Sequence, residues 1–77
     1  MVARNNFIYK INISSVTEIF EFVKTAVELP YDVILVNGKH RLNAKSYLSV
    51  ILAKMSWGEI YIESDFDCYF DLEKFIE

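Results

Sequence analysis

Few side chains in this sequence could carry covalent or acid-base chemistry: it has one histidine, His40, and one cysteine, Cys68. Imidazole titrates near neutral pH, so a general base, a metal ligand or a phosphoryl acceptor would have to be His40. That residue falls on a strand beside a hairpin, with no second histidine and no cysteine near it, which is the setting of a solvent-facing side chain. Cys68 stands near a helix start, but its neighbours are acids and no cation is adjacent, so it reads as an ordinary packed thiol. One cysteine makes neither an internal disulfide nor a cysteine-rich metal site. Asp65, Asp67 and Asp71 invite a calcium reading, yet an EF-hand loop needs glycine at its sixth position and glutamate at its twelfth. Counted from Asp65, those places hold Phe70 and Ile76. Asn12-Ile13-Ser14 matches a glycosylation acceptor, which a cytosolic chain never exposes to that machinery. No Ser/His/Asp set, phosphate loop or paired-carboxylate site can be assembled. The residues therefore predict no catalytic centre, no cofactor and no metal.

The chain of 77 residues, 53% hydrophobic and 25% charged, is a single domain. A chain this short buries only about 60% of its unfolded surface, so its core must be dense. Twelve aromatic residues against 2 glycines and 1 proline supply that density. The longest apolar runs, Val33 to Val36 and Val50 to Ala53, are far shorter than the ~20 residues of a membrane span. The amino-terminus also lacks a leader's apolar run, so a cytoplasmic protein without membrane contact is expected. Residues 1–58 carry seven Lys/Arg and four Asp/Glu, whereas residues 59–77 carry seven acids and Lys74 alone. The acidic end reads first as a solvated face. The scattered cations argue against nucleic acid, which needs them clustered.

Phe7, Tyr9, Ile11 and Ile13 alternate with Ile8, Lys10 and Asn12, predicting a first strand from Phe7 to Ile13 with one buried face. Ser15-Val16-Thr17-Glu18 reads as a capping box in which Glu18 reaches back to the amide of Ser15. The helix it opens places Val16, Ile19, Phe20, Val23 and Val27 toward the core and ends at Pro30. Val33 to Val36 is a second strand. Asn37-Gly38 predicts a type I′ turn into a third strand from Lys39 to Asn43. Ser46 caps a second helix from Tyr47 to Met55, closed by Gly58. Its apolar residues lie on two faces: Val50 and Ala53 on one, Tyr47, Leu48, Ile51 and Met55 on the other. Only one of these can meet the core, so the other marks a partner surface or lies under a loop. Glu59 to Glu63 forms a fourth strand, and Asp65 or Asp67 caps a last helix carrying Tyr69, Leu72 and Ile76. The β-α-β-β-α-β-α order predicts an α+β fold, an open-faced two-layer β-sandwich with a four-stranded antiparallel sheet covered by three helices.

On these residues the sequence resembles the HPr phosphocarrier family of the sugar phosphotransferase system. Leu42-Asn43-Ala44-Lys45-Ser46, running into Tyr47-Leu48-Ser49-Val50, looks like the family's V-N-L-K-S segment and second helix. Phe22-Val23-Lys24-Thr25-Ala26 resembles the end of its first helix, and Asn37-Gly38-Lys39 its hairpin. The family's phosphoryl acceptor is the histidine of a G-I-H-A-R-P-A segment, where this chain reads Ile13-Ser14-Ser15-Val16-Thr17-Glu18-Ile19. Ser15 stands in the histidine's place, Thr17 in that of the arginine that pairs with phosphate, and Glu18 in that of the proline. A phosphocarrier must pass its phosphoryl group on; a labile phosphoimidazole permits that and a stable serine ester does not. Glu18 would also repel an incoming phosphoryl donor.

The resemblance implies a degenerate member that keeps the fold without the carrier chemistry, similar in that respect to the catabolite-repression HPr-like protein. In Gram-positive relatives the serine of the K-S segment is a regulatory phosphorylation site, used in co-repression with catabolite control protein A. By resemblance Ser46 is a candidate for that role. Phosphate at a helix N-cap is favoured by the macrodipole and Lys45 adds a cation, although serine also caps helices with no such role. The partner surface expected is Lys45, Tyr47, Leu48 and Ile51, and the partners are proteins: phosphotransferase-system enzymes, a serine kinase or a transcriptional regulator. A homo-oligomeric scaffold with no part in sugar transport, burying the same strip against a second copy, is the alternative.

Overall fold

The structure, a computed structural model, describes residues 6–77; the amino-terminal stretch read for a leader lies largely outside them. It is an α+β fold with four strands, β1 (Phe7–Ile11), β2 (Ile34–Asn37), β3 (His40–Asn43) and β4 (Ile60–Ser64), and three helices, α1 (Val16–Glu28), α2 (Tyr47–Ser56) and α3 (Tyr69–Leu72). A 3₁₀ turn, Glu73–Phe75, continues α3. The order along the chain is β-α-β-β-α-β-α, and the sheet is antiparallel throughout in the order β1-β4-β2-β3.

Register sets which face is covered. Tyr9 pairs with Ile62, Ile62 with Leu35, and Leu35 with Leu42, so one row crosses all four strands and feeds the core. Lys10, Tyr61, Val36 and Arg41 form the adjacent row on the open face. On the open face Arg41 pairs with Glu63 at 2.7 Å and Lys10 with Glu59 at 2.9 Å. Against the covered face α1 packs Ile19, Phe22, Val23 and Ala26, and α2 packs Val50 and Ala53.

Several sequence expectations shift. The first strand stops pairing at Ile11, though Ile13 stays buried, because the carboxy-terminus takes over: Asn12 N donates to the Phe75 carbonyl and Glu77 N to the Lys10 carbonyl. Ile76 is accordingly extended opposite Ile11 and not helical. α1 is rotated from the predicted face, leaving Val16, Phe20 and Val27 exposed while Phe22 and Ala26 go inside. The hairpin loop is Gly38-Lys39, one residue later than predicted, and among the described residues Gly38 alone has positive φ, at 59°. That matches a turn with glycine at its first central position. Asn37 stays in the ladder opposite His40 and spends its amide on the Glu59 carbonyl at 2.7 Å. α2 ends when Trp57 turns extended, so Gly58 plays no left-handed capping part. β4 is shifted by one residue, to Ile60–Ser64, and buries Ser64. Asp67 accepts from the Tyr69 amide at 3.0 Å and from the Tyr9 hydroxyl at 2.6 Å, clasping the start of α3 to β1. That carboxylate pushes the Tyr9 phenol up to about 12.

Candidate functional site

α1 and α2 run antiparallel on the sheet. Val16 lies across a shared groove from Met55 at one end, and Lys45 reaches the Leu29 carbonyl at the other. The groove, about 430 Å³, is walled by Val16, Ile19 and Phe20 of α1 and by Ile51, Lys54 and Met55 of α2, with Ser14 and Ser15 at its mouth. Phe20 of the α1 wall packs on Tyr47 of α2, ring centres 5.2 Å apart.

The larger apolar surface belongs to α2. Leu48, Ile51, Leu52 and Met55 recur at the spacing that places side chains on one helical face, and that face points away from the sheet. Leu48 is 79% exposed and Met55 81%. α2 thus carries two apolar faces, and only Val50 and Ala53 are used by the fold. An apolar stripe at i, i+3, i+4 and i+7 is what an amphipathic helix offers to a partner's groove.

At the start of α1, Ser15 is exposed and its Oγ accepts from the Glu18 amide at 3.2 Å. Glu18 does not reach the Ser15 amide as the capping box predicts; its Oε1 accepts from the Ser14 amide at 2.7 Å and the Ser14 hydroxyl at 2.8 Å. These two bonds, the amide first, hold the Glu18 carboxyl below its usual range. A carboxylate therefore stands beside the start of α1, where its charge opposes an incoming anion. Thr17 lies exposed on the same turn and brings no positive charge.

At the start of α2, Ser46 Oγ accepts from the Ser49 amide at 3.3 Å, and no acid lies in the first turn. Ser46 is half-buried. Lys45 is not turned toward it: its Nζ donates to the Leu29 carbonyl at 2.8 Å, tying the end of α1 to the start of α2. The loop is set by Asn43, whose Oδ1 accepts from the Lys45 amide at 2.9 Å and whose carbonyl accepts from the Ser46 amide at 3.2 Å.

The structure thus brings Ile51 onto the groove and Tyr47 against Phe20 of its wall, places Leu48 on the outward stripe, and sets Ser46 at its amino-terminal end. Sequence reasoning missed Val16, Phe20 and Leu52. For the first two the spacing is ambiguous: Val16, Phe20 and Val27 form one apolar flank of α1 and Ile19, Phe22, Val23 and Ala26 another, and only packing chooses the second. His40 sits on β3 at the sheet edge opposite β1, exposed, its ring 6.3 Å from that of Trp57. Cys68 is buried, and burial raises its thiol pKa. Among the described residues no group of three or more His, Cys, Asp or Glu is placed to hold a metal ion, and no helix is long and apolar enough to cross a membrane. Compared with protein-family models, with curated proteins and with solved structures, the chain matches none.

Proposed function

We propose that this protein is an HPr-like regulatory or adaptor protein of the sugar phosphotransferase and carbon catabolite network, acting in the cytoplasm by docking protein partners and not as an enzyme or phosphocarrier. The fold order and the 1-4-2-3 sheet are compatible with that family. The observation that carries the reading is the outward stripe of α2, four exposed apolar side chains, joined through Ile51 and Met55 to the groove beside Ser15. Docking would bury Leu48, Ile51, Leu52 and Met55 against an apolar surface of the partner. Ser46 at the head of the stripe supplies regulation: phosphate there meets helix amides and no first-turn acid, and adds charge at the edge of an apolar contact.

Calorimetric titration against enzyme I, an HPr serine kinase and catabolite control protein A tests this, with Leu48→Ser/Met55→Ser as the variant. Binding to at least one of them, lost in the variant, supports the proposal. Sedimentation of a dimer that the same variant dissociates, with no binding to the three, transfers the stripe to the homo-oligomeric scaffold.

A further inference from the structure

The acids crowded into residues 59–77 part company in space. Glu59 and Glu77 meet Lys10 at 2.9 and 3.6 Å, and Glu63 meets Arg41 at 2.7 Å. Asp67 and Asp71 form no ion pair among the described residues. Both lie at the α3 end, and there the chain also exposes two phenylalanine rings, Phe66 at 61% and Phe70 at 83%. The fold does not call on them, because this segment contributes Cys68, Leu72 and Phe75 to the core. The rings are nonetheless held in place: Phe66 packs on Tyr31 with centres 5.2 Å apart, and Phe70 stands edge-on to Tyr69 at 5.4 Å and 88°. The Asp67 carboxylate is likewise fixed by the Tyr9 hydroxyl and the Tyr69 amide.

Aromatic faces are electronegative, and beside carboxylates they attract a cation more than either group does alone. An arginine fits best, since its guanidinium stacks on a ring while its N–H groups reach a carboxylate. We propose that the α3 end docks an arginine- or lysine-rich segment of a partner protein, with side-chain cations lying over Phe66 and Phe70 and meeting Asp67 and Asp71. Charge complementarity selects this occupant: a nucleic acid would be repelled, and a second copy docking through the same surface would oppose the same acids. α1 packs against both α2 and α3, so this surface is distinct from the α2 stripe and does not rest on the function proposed above.

Heteronuclear NMR titration with a hexa-arginine peptide, and with hexaglutamine as the neutral control, tests it. Saturating shifts from hexa-arginine alone are expected at residues 65–71 and at Tyr9 and Tyr31. Phe66→Ala/Phe70→Ala weakens binding about five- to thirty-fold, the loss of two ring-cation contacts. Asp71→Asn also weakens binding and flattens its dependence on salt. Should the double variant unfold, Phe70→Ala alone removes the more exposed ring. Shifts spread equally over Glu18, Glu21 and Glu28, or an affinity unchanged by ring removal, would overturn the proposal as unspecific charge attraction. Concentration-dependent shifts at residues 65–71 without peptide would also overturn it, the occupant then being a second copy.

Discussion

α1 and α2 each start on a serine whose hydroxyl accepts the amide three residues on, from Glu18 at 3.2 Å and from Ser49 at 3.3 Å. Beyond that shared cap the helices diverge. α1 has an acid in its first turn and buries Ile19, Phe22, Val23 and Ala26; α2 has none and buries only Val50 and Ala53. Glu18 folds back onto Ser14 at the start of α1, whereas the start of α2 is braced from behind, by Lys45 on Leu29 and Asn43 on the loop. One helix holds the fold together and sets a carboxylate beside its own amino-terminus. The other is carried on the fold and presents most of its apolar surface outward. A serine cap alone therefore does not tell the two helices apart; the residues of the first turn and the share of the helix that is buried do.

The largest effect that could break this contrast is in the core. Phe22→Ala is expected to cost about 3–5 kcal/mol in urea unfolding, the range for removing a buried ring. Equal losses from Leu48→Ala would erase the distinction between the helices. Caps come next: Ser15→Ala and Ser46→Ala should each cost about 1 kcal/mol. Glu18→Gln sharpens the comparison through pH. The folded-state carboxyl is held below 4.5, so its contribution is present above that pH and fades as pH falls through the lower folded value. The variant should be less stable than wild type near neutrality and converge with it in acid, with no counterpart in α2. Smallest of all, Leu48→Ser and Met55→Ser should stay within about 0.5 kcal/mol of wild type, since neither side chain is packed.

How much of this was legible in the sequence depended on whether local pattern or long-range pairing decided it. Element order, both serine caps and the second apolar face of α2 follow from spacing within a few residues. The buried face of α1 did not emerge, because Val16, Phe20 and Val27 form a second apolar flank beside Ile19 and Val23, and only contact with the sheet and α2 selects between them. The carboxy-terminal end was misread for a related reason: Ile76 continues a helical pattern, but pairing with Ile11 draws it into an extended strand-like contact. The hairpin slipped by one residue because Asn37, suited to the turn, is held in the ladder by His40 and by the Glu59 carbonyl. Charge was legible as a count and not as an arrangement, since Lys10 and Arg41 reach the acids only across the sheet.

The start of α1 carries the Glu18 carboxylate and that of α2 carries no acid, and on this difference rests the proposal of a protein that docks partners without carrying phosphoryl groups. Intact-mass spectrometry tests it most directly, after incubation with enzyme I and phosphoenolpyruvate and, separately, with an HPr serine kinase and ATP, with Ser46→Ala alongside. The prediction is no adduct from enzyme I and a stable adduct from the kinase that Ser46→Ala abolishes. An acid-labile adduct from enzyme I would contradict it and would point to His40.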